Sequence, residues 1–140
     1  MAKTLTIIFG VILVLLGLLG LTSNSLIGAN ALFTADTMYN VIHFVLGVIL
    51  LGVAFWASES SPFWLKVIGA VTFLLGLLGL LTVPSAGGSL LGIAYTNGAS
   101  DWLHLVLGAA IFVAGMYSKG DGGMTMPPMS STPSNPQRII

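Results

Sequence analysis

The chain has 140 residues, of which 56% are hydrophobic and only 6% charged, and its formal net charge is zero. Soluble domains carry about a quarter charged residues, so most of this surface faces something other than water. The neutral balance offers no footprint for nucleic acid, and the lack of cysteine excludes disulfides, thiolate metal sites and cysteine nucleophiles.

The first apolar segment covers residues 5–21. It follows Lys3, as a cleaved leader would, but its apolar run exceeds a usual leader core and recurs later in the chain. It is therefore read as a membrane helix. The second segment covers residues 38–56, the third 63–83 and the fourth 102–117. A bilayer core of about 30 Å takes about 20 apolar residues in a helix, and backbone groups in lipid must pair within the segment. The predicted fold class is all-α: a polytopic membrane four-helix bundle. The stretches SNSLIGANALF and SAGGSLLGIAY join helices 1–2 and 3–4. They are half polar, and are expected to lie in the interface or fold over the bundle.

The basic residues set the orientation. Lys3, Lys66, Lys119 and Arg138 all fall on one side, and the two long loops carry Asp36 and Asp101 instead. The positive-inside rule puts both termini and the helix 2–3 turn in the cytoplasm of a cell-membrane protein. Trp56 and Trp64 flank that turn; Tyr39 and Trp102 are expected at the opposite interface.

The chain also repeats itself. GVILVLLGLLGL from Gly10 aligns without a gap with GAVTFLLGLLGL from Gly69. SLIG from Ser25 then matches SLLG from Ser89, and NVIHFVLG from Asn40 matches DWLHLVLG from Asp101. The repeats span about residues 5–57 and 63–118. Each holds an even number of helices, so the two are expected to be parallel, related by an axis along the membrane normal. Small residues permit the close backbone approach on which helix association in lipid depends. Gly10, Gly17 and Gly20 on helix 1, Gly69, Gly76 and Gly79 on helix 3, and Gly47 and Gly108 on helices 2 and 4 are the predicted packing positions. Ala110 and Ala114 form a further small pair.

Helical spacing groups Asn40, His43, Gly47, Leu50 or Leu51, and Ala54 on one stripe, and Asp101, His104, Gly108, Ile111 or Phe112, and Gly115 on another. These stripes should face the bundle and leave Val45, Leu46, Val48 and Ile49 to lipid. His43, His104, Asp101 and Asn40 are the candidate ligand or polar-core residues. Asp101 is expected to cap helix 4 or to hold the His104 ring, making His104 the more readily protonated ring while His43, with Asn40 in that place, stays neutral. Both rings are expected to tie the loops to the bundle. Competing readings are a bis-histidine haem b carrier, a proton or small-solute pathway, and a metal site. No nucleophile elbow, HExxH or phosphate loop is present, so a non-enzymatic structural or accessory role with no cofactor leads.

The glycine-punctuated helix 1, the N-x-x-H-x-x-x-G of helix 2 and NGASDWLHLVLG at residues 97–108 resemble a family of small four-helix bacterial membrane proteins of unknown function, over roughly residues 5–118. Family members often carry a second histidine where this chain has Tyr39. The resemblance implies the fold and the membrane location, and it implies no activity. Residues 1–118 thus form the transmembrane domain. Residues 119–140 form a Gly/Pro/Ser/Met-rich cytoplasmic tail that cannot build a core. Met124, Met126 and Met129 there have the softness for copper(I), although a non-specific tail is the simpler reading. The expected partners are the lipid bilayer and a neighbouring subunit, as a homo-oligomer or a membrane assembly, with the tail against that neighbour.

Overall fold

A computed structural model describes residues 1–22 and 24–118. Lys119, Arg138 and the tail methionines lie outside the described residues. The four apolar segments are helices: α1 Ala2–Gly20, α2 Thr37–Trp56, α3 Ser61–Thr82 and α4 Gly98–Tyr117. Each is long and apolar enough to cross a bilayer. Their starts follow from local chemistry. The Asp36 carboxylate accepts the Tyr39 N–H at 2.9 Å, and the Asn97 side-chain oxygen accepts the Ser100 N–H at 3.0 Å, so both act as N-caps. Pro62 opens α3, where its missing N–H costs nothing. A single 3-10 turn at Ser58–Ser60 makes the short connection between α2 and α3.

Packing is concentrated within two hairpins, α1 against α2 and α3 against α4. Glycines make the seams. A Cβ on Gly17 would stand 2.6 Å from the Asn40 carbonyl oxygen, and one on Gly47 would stand 2.7 Å from the Gly10 oxygen. In the other hairpin a Cβ on Gly76 would lie 2.5 Å from the Leu105 nitrogen, and Gly69 and Gly108 abut the backbones of Phe112 and Phe73. Leu13, Leu50 and Ile68 form the apolar centre between the hairpins, with Phe9, Leu16, Leu46, Trp64 and Leu107 packed around them. The lipid face carries Val45, Val48 and Ile49, all exposed.

Three expectations need correction. Leu46 packs on the apolar centre instead of facing lipid. Ala110 is exposed, and Gly108 and Gly115 take the α4 seam in its place. Tyr39 is buried rather than anchored at the interface, because its ring lies beside both imidazoles and its hydroxyl beside Thr96.

The long loops contain short strands that period and composition did not predict. In the first, β1 (Ile27–Gly28) pairs with β2 (Phe33–Thr34) in parallel. In the second, β3 (Gly88–Leu90) pairs with β4 (Ala94–Thr96) in antiparallel register. Leu91, in the turn of that hairpin, has φ 54°, a region that strains any residue with a Cβ by about 1–2 kcal/mol. Its side chain is exposed, so Leu91→Gly loses little burial. The variant should raise the unfolding midpoint of the detergent-solubilised chain, by on the order of 0.5–1 kcal/mol. A lowered midpoint would show that Leu91 makes a contact that outweighs the strain.

Candidate functional site

Most of the buried polar groups gather at the end that carries the long loops, with Thr6, Ser61 and Thr72 elsewhere in the bundle. Both described lysines lie at the other end: Lys3 stands over the Phe55 ring, and Lys66 lies against Gly115. Asn40 is buried and donates from Nδ2 to the Gly20 carbonyl at 2.8 Å, tying α2 to the last turn of α1. Its place in the other hairpin is held by Asp101, fully buried, whose Oδ1 accepts from Thr96 Oγ1 at 2.8 Å. Among the described residues the Asp101 Oδ2 and the Asn40 Oδ1 find no hydrogen-bond partner. Gly20 and Gly79 leave the space these side chains occupy, since a Cβ on either would strike the Asn40 or Asp101 head group.

His43 and His104 meet between α2 and α4, and so between the two hairpins. Their Nε2 atoms are 3.3 Å apart. The ring centroids are 5.4 Å apart and the planes 18° from parallel. Most of the difference between those two distances is taken up by the rings' own radii, so the imidazoles meet tip to tip rather than face to face. The other nitrogen of the His104 ring, Nδ1, pairs with the Ser100 oxygen four residues earlier at 2.6 Å, and the Tyr39 carbonyl lies beside the His43 ring in the corresponding place. Tyr39 covers the pair, 5.8 Å from the His43 centroid and 5.1 Å from that of His104.

Asp101 neither caps α4 nor bonds the His104 ring. Asn97 supplies the cap, and the Ser100 carbonyl holds the ring. The histidines do not tie down the loops either. That work falls to residues that the sequence did not single out. Ser100 Oγ donates to the Thr34 carbonyl at 2.8 Å, Asn97 Nδ2 donates to the Leu32 carbonyl at 3.1 Å, and the Asp36 Oδ2 accepts from the Tyr95 N–H at 2.9 Å. The first loop is thereby sewn to the second hairpin. Asn97 and Asp36 did carry a readable signal, since each stands directly ahead of an apolar helical run. Ser100 and Thr96 carried none.

The bis-histidine haem reading does not fit these residues. Axial ligands must bracket a porphyrin, whereas these nitrogens touch. The cavity beside them, lined with Leu16, Phe33, Leu103 and Leu107, holds about 20 Å³, room for roughly one water. Ligand pockets begin at roughly 300 Å³. Among the described residues no three His, Asp or Glu side chains gather as a metal site.

A protein-family model described as a domain of unknown function, DUF4383, matches residues 3–117. No curated protein matches the chain, and no solved structure does.

Proposed function

The chain belongs to this DUF4383 family of unknown function, and from its four membrane-length helices we propose a non-enzymatic structural or accessory role in the membrane. One observation carries this reading: the glycine seams bring helix backbones into direct contact along both hairpins. That contact makes each hairpin a stiff unit suited to presenting a fixed lipid-facing surface. The buried polar groups are largely engaged in tying α1, α2, α4 and the loops together, which suits a scaffold better than a moving gate. The two hairpins are read as parallel duplicates, because Asn40 meets Gly20 as Asp101 meets Gly79. The surface so presented takes lipid and a neighbouring subunit, either a second copy or another membrane chain.

The test counts subunits. A single cysteine at Ser25, in a chain that has no other, is labelled with one fluorophore and the protein is diluted into supported bilayers. Two or more bleaching steps per spot, or one step with a stoichiometric co-purified polypeptide, agrees with the proposal. Single steps with no companion chain, together with solute flux in liposomes, would overturn it.

The proposed topology has its own check. Ser25 and Ser89 lie exposed in the long loops, and Glu59 lies in the turn between α2 and α3. Single cysteines at Ser25 and Ser89 should react with an impermeant thiol reagent on intact cells, and a cysteine at Glu59 only after lysis. The reverse pattern would invert the cytoplasmic assignment of the termini.

A further inference from the structure

The tip-to-tip imidazoles pose a problem of proton count. A carbonyl oxygen can only accept, so His104 Nδ1 carries hydrogen toward Ser100, and the Tyr39 carbonyl beside the His43 ring favours the same tautomer there. In a neutral imidazole the other nitrogen is then a bare lone pair. Two neutral rings would direct two lone pairs at one another across 3.3 Å, in a buried place where like polar ends repel strongly. A water cannot lie between nitrogens so close. A metal ion on the line between them would need about 4 Å, twice the usual metal–imidazole length of about 2.0 Å. A single proton fits: N–H···N is an ordinary hydrogen bond within 3.5 Å.

That proton brings a positive charge into the bundle, and the charge has a partner. Asp101 lies one turn earlier on α4, buried, its Oδ2 lacking a hydrogen-bond partner among the described residues. The hydroxyl chain beside it runs toward it. Thr96 gives its hydrogen to Asp101 Oδ1, and the Tyr39 hydroxyl lies beside Thr96. Such a chain ends on an acceptor, which Asp101 Oδ1 supplies. Tyr39 from α2 and Asp101 from α4 are the titratable groups beside the pair, with Asp36 at the start of α2 further out. Around them α1 contributes Leu16, and the first loop Ile27, Phe33 and Ala35.

We propose that His43 and His104 form a single proton-binding site, with one proton held between the two Nε2 atoms and the Asp101 carboxylate as its counter-charge. The proton is then the link between the hairpins at this depth. Its loss as pH rises exposes the two lone pairs to one another and loosens α2 from α4. Its ligand class is the hydron itself, and the site needs no continuous polar path.

The experiment is solid-state NMR of the full chain, labelled with 15N-histidine and 13C-aspartate, in lipid bilayers from pH 5 to 9. At neutral pH the two rings should show three N–H hydrogens in total, with an N···N scalar coupling between the two Nε2 atoms and an ionised Asp101 carboxyl. Asp101→Asn is the companion variant. An amide already fills the corresponding place at Asn40, so the fold should tolerate it, and the population of the shared proton at pH 7 should fall at least tenfold. Two neutral rings beside a protonated Asp101 would overturn the proposal. So would an undiminished N···N coupling in Asp101→Asn, or one equivalent of metal by elemental analysis that EDTA removes.

Discussion

Gly76→Leu should be among the most damaging single substitutions in this chain, with Gly17→Leu close behind. At Gly76 even a methyl group would stand 2.5 Å from the Leu105 nitrogen and 2.6 Å from the Asp101 carbonyl oxygen. Both are backbone atoms of α4, so no rotamer change relieves the clash and the two helices must part. Gly17 faces the Asn40 oxygen at 2.6 Å and the Phe44 nitrogen at 2.7 Å in the same way. Overpacking ordinarily costs about 1–3 kcal/mol, and a backbone neighbour puts both sites at or above the top of that range. In lipid the loss is compounded, because close contact is the main source of helix association. Two controls separate this from a general intolerance of larger residues. Val45 is 47% exposed on the lipid face, so Val45→Leu should leave the midpoint unchanged. A Cβ on Gly52 would meet only the Trp56 ring at 3.5 Å, so Gly52→Ala should be neutral or gain about 0.5–1 kcal/mol of helix propensity. Tryptophan fluorescence during thermal unfolding in detergent reads all four. Equal midpoints across the set would show that the seams do not hold the bundle.

The glycine seams were legible in sequence because their cause is local and periodic. A helix face lacking side chains can serve only as a place of close approach, and LLGLLGL occurs in both α1 and α3. The membrane helices were legible for a similar reason, since length and apolarity decide spanning. The histidine face was readable too: Asn40, Gly47, Leu50 and Ala54 are buried together on α2, as Asp101, His104 and Gly108 are on α4. What the rings meet was not readable. Their contact joins residues 61 positions apart, and it depends on how two hairpins dock, which no periodicity encodes. The sequence made Asp101 a cap because it stands near a helix start. The cap went to Asn97 because α4 begins a turn earlier, at Gly98. Residues 98–101, GASD, lack the apolar character that marked the segment's start at Trp102. The strands escaped notice because they are two or three residues long, below the length at which alternation can be recognised.

Asp36→Ala should be the most damaging change outside the seams, and the reason is a trade between the two halves. Asp36 and Asn97 cap α2 and α4, and Asn40 and Asp101 lie one turn further in. Acid and amide exchange places from one hairpin to the other. The outer acid is therefore free to receive two donors. Asp36 Oδ1 takes the Tyr39 N–H of its own helix, and Oδ2 takes the Tyr95 N–H of β4, each at 2.9 Å. Loss of a cap costs about 0.5–2 kcal/mol, and loss of a hydrogen bond to a charged group about 1.5–3 kcal/mol. Because one side chain makes both bonds, the two terms combine in a single variant at about 2–5 kcal/mol. Asp36→Asn keeps the cap, since asparagine caps about as well as aspartate, but turns an amide N–H toward the Tyr95 N–H and should cost about 1.5–3 kcal/mol. The outer amide cannot be replaced by an acid in the same way. Asn97 Nδ2 donates to the Leu32 carbonyl at 3.1 Å, so Asn97→Asp would set a carboxylate against a carbonyl oxygen and drive the first loop off the second hairpin. Amide hydrogen exchange in bilayers resolves where the damage falls. Asp36→Ala should speed exchange at Tyr39 and Tyr95 together while leaving the middle of α3 protected. Faster exchange at Tyr39 alone would mean that the Asp36–Tyr95 bond does not join the halves, and that the cap is all Asp36 supplies.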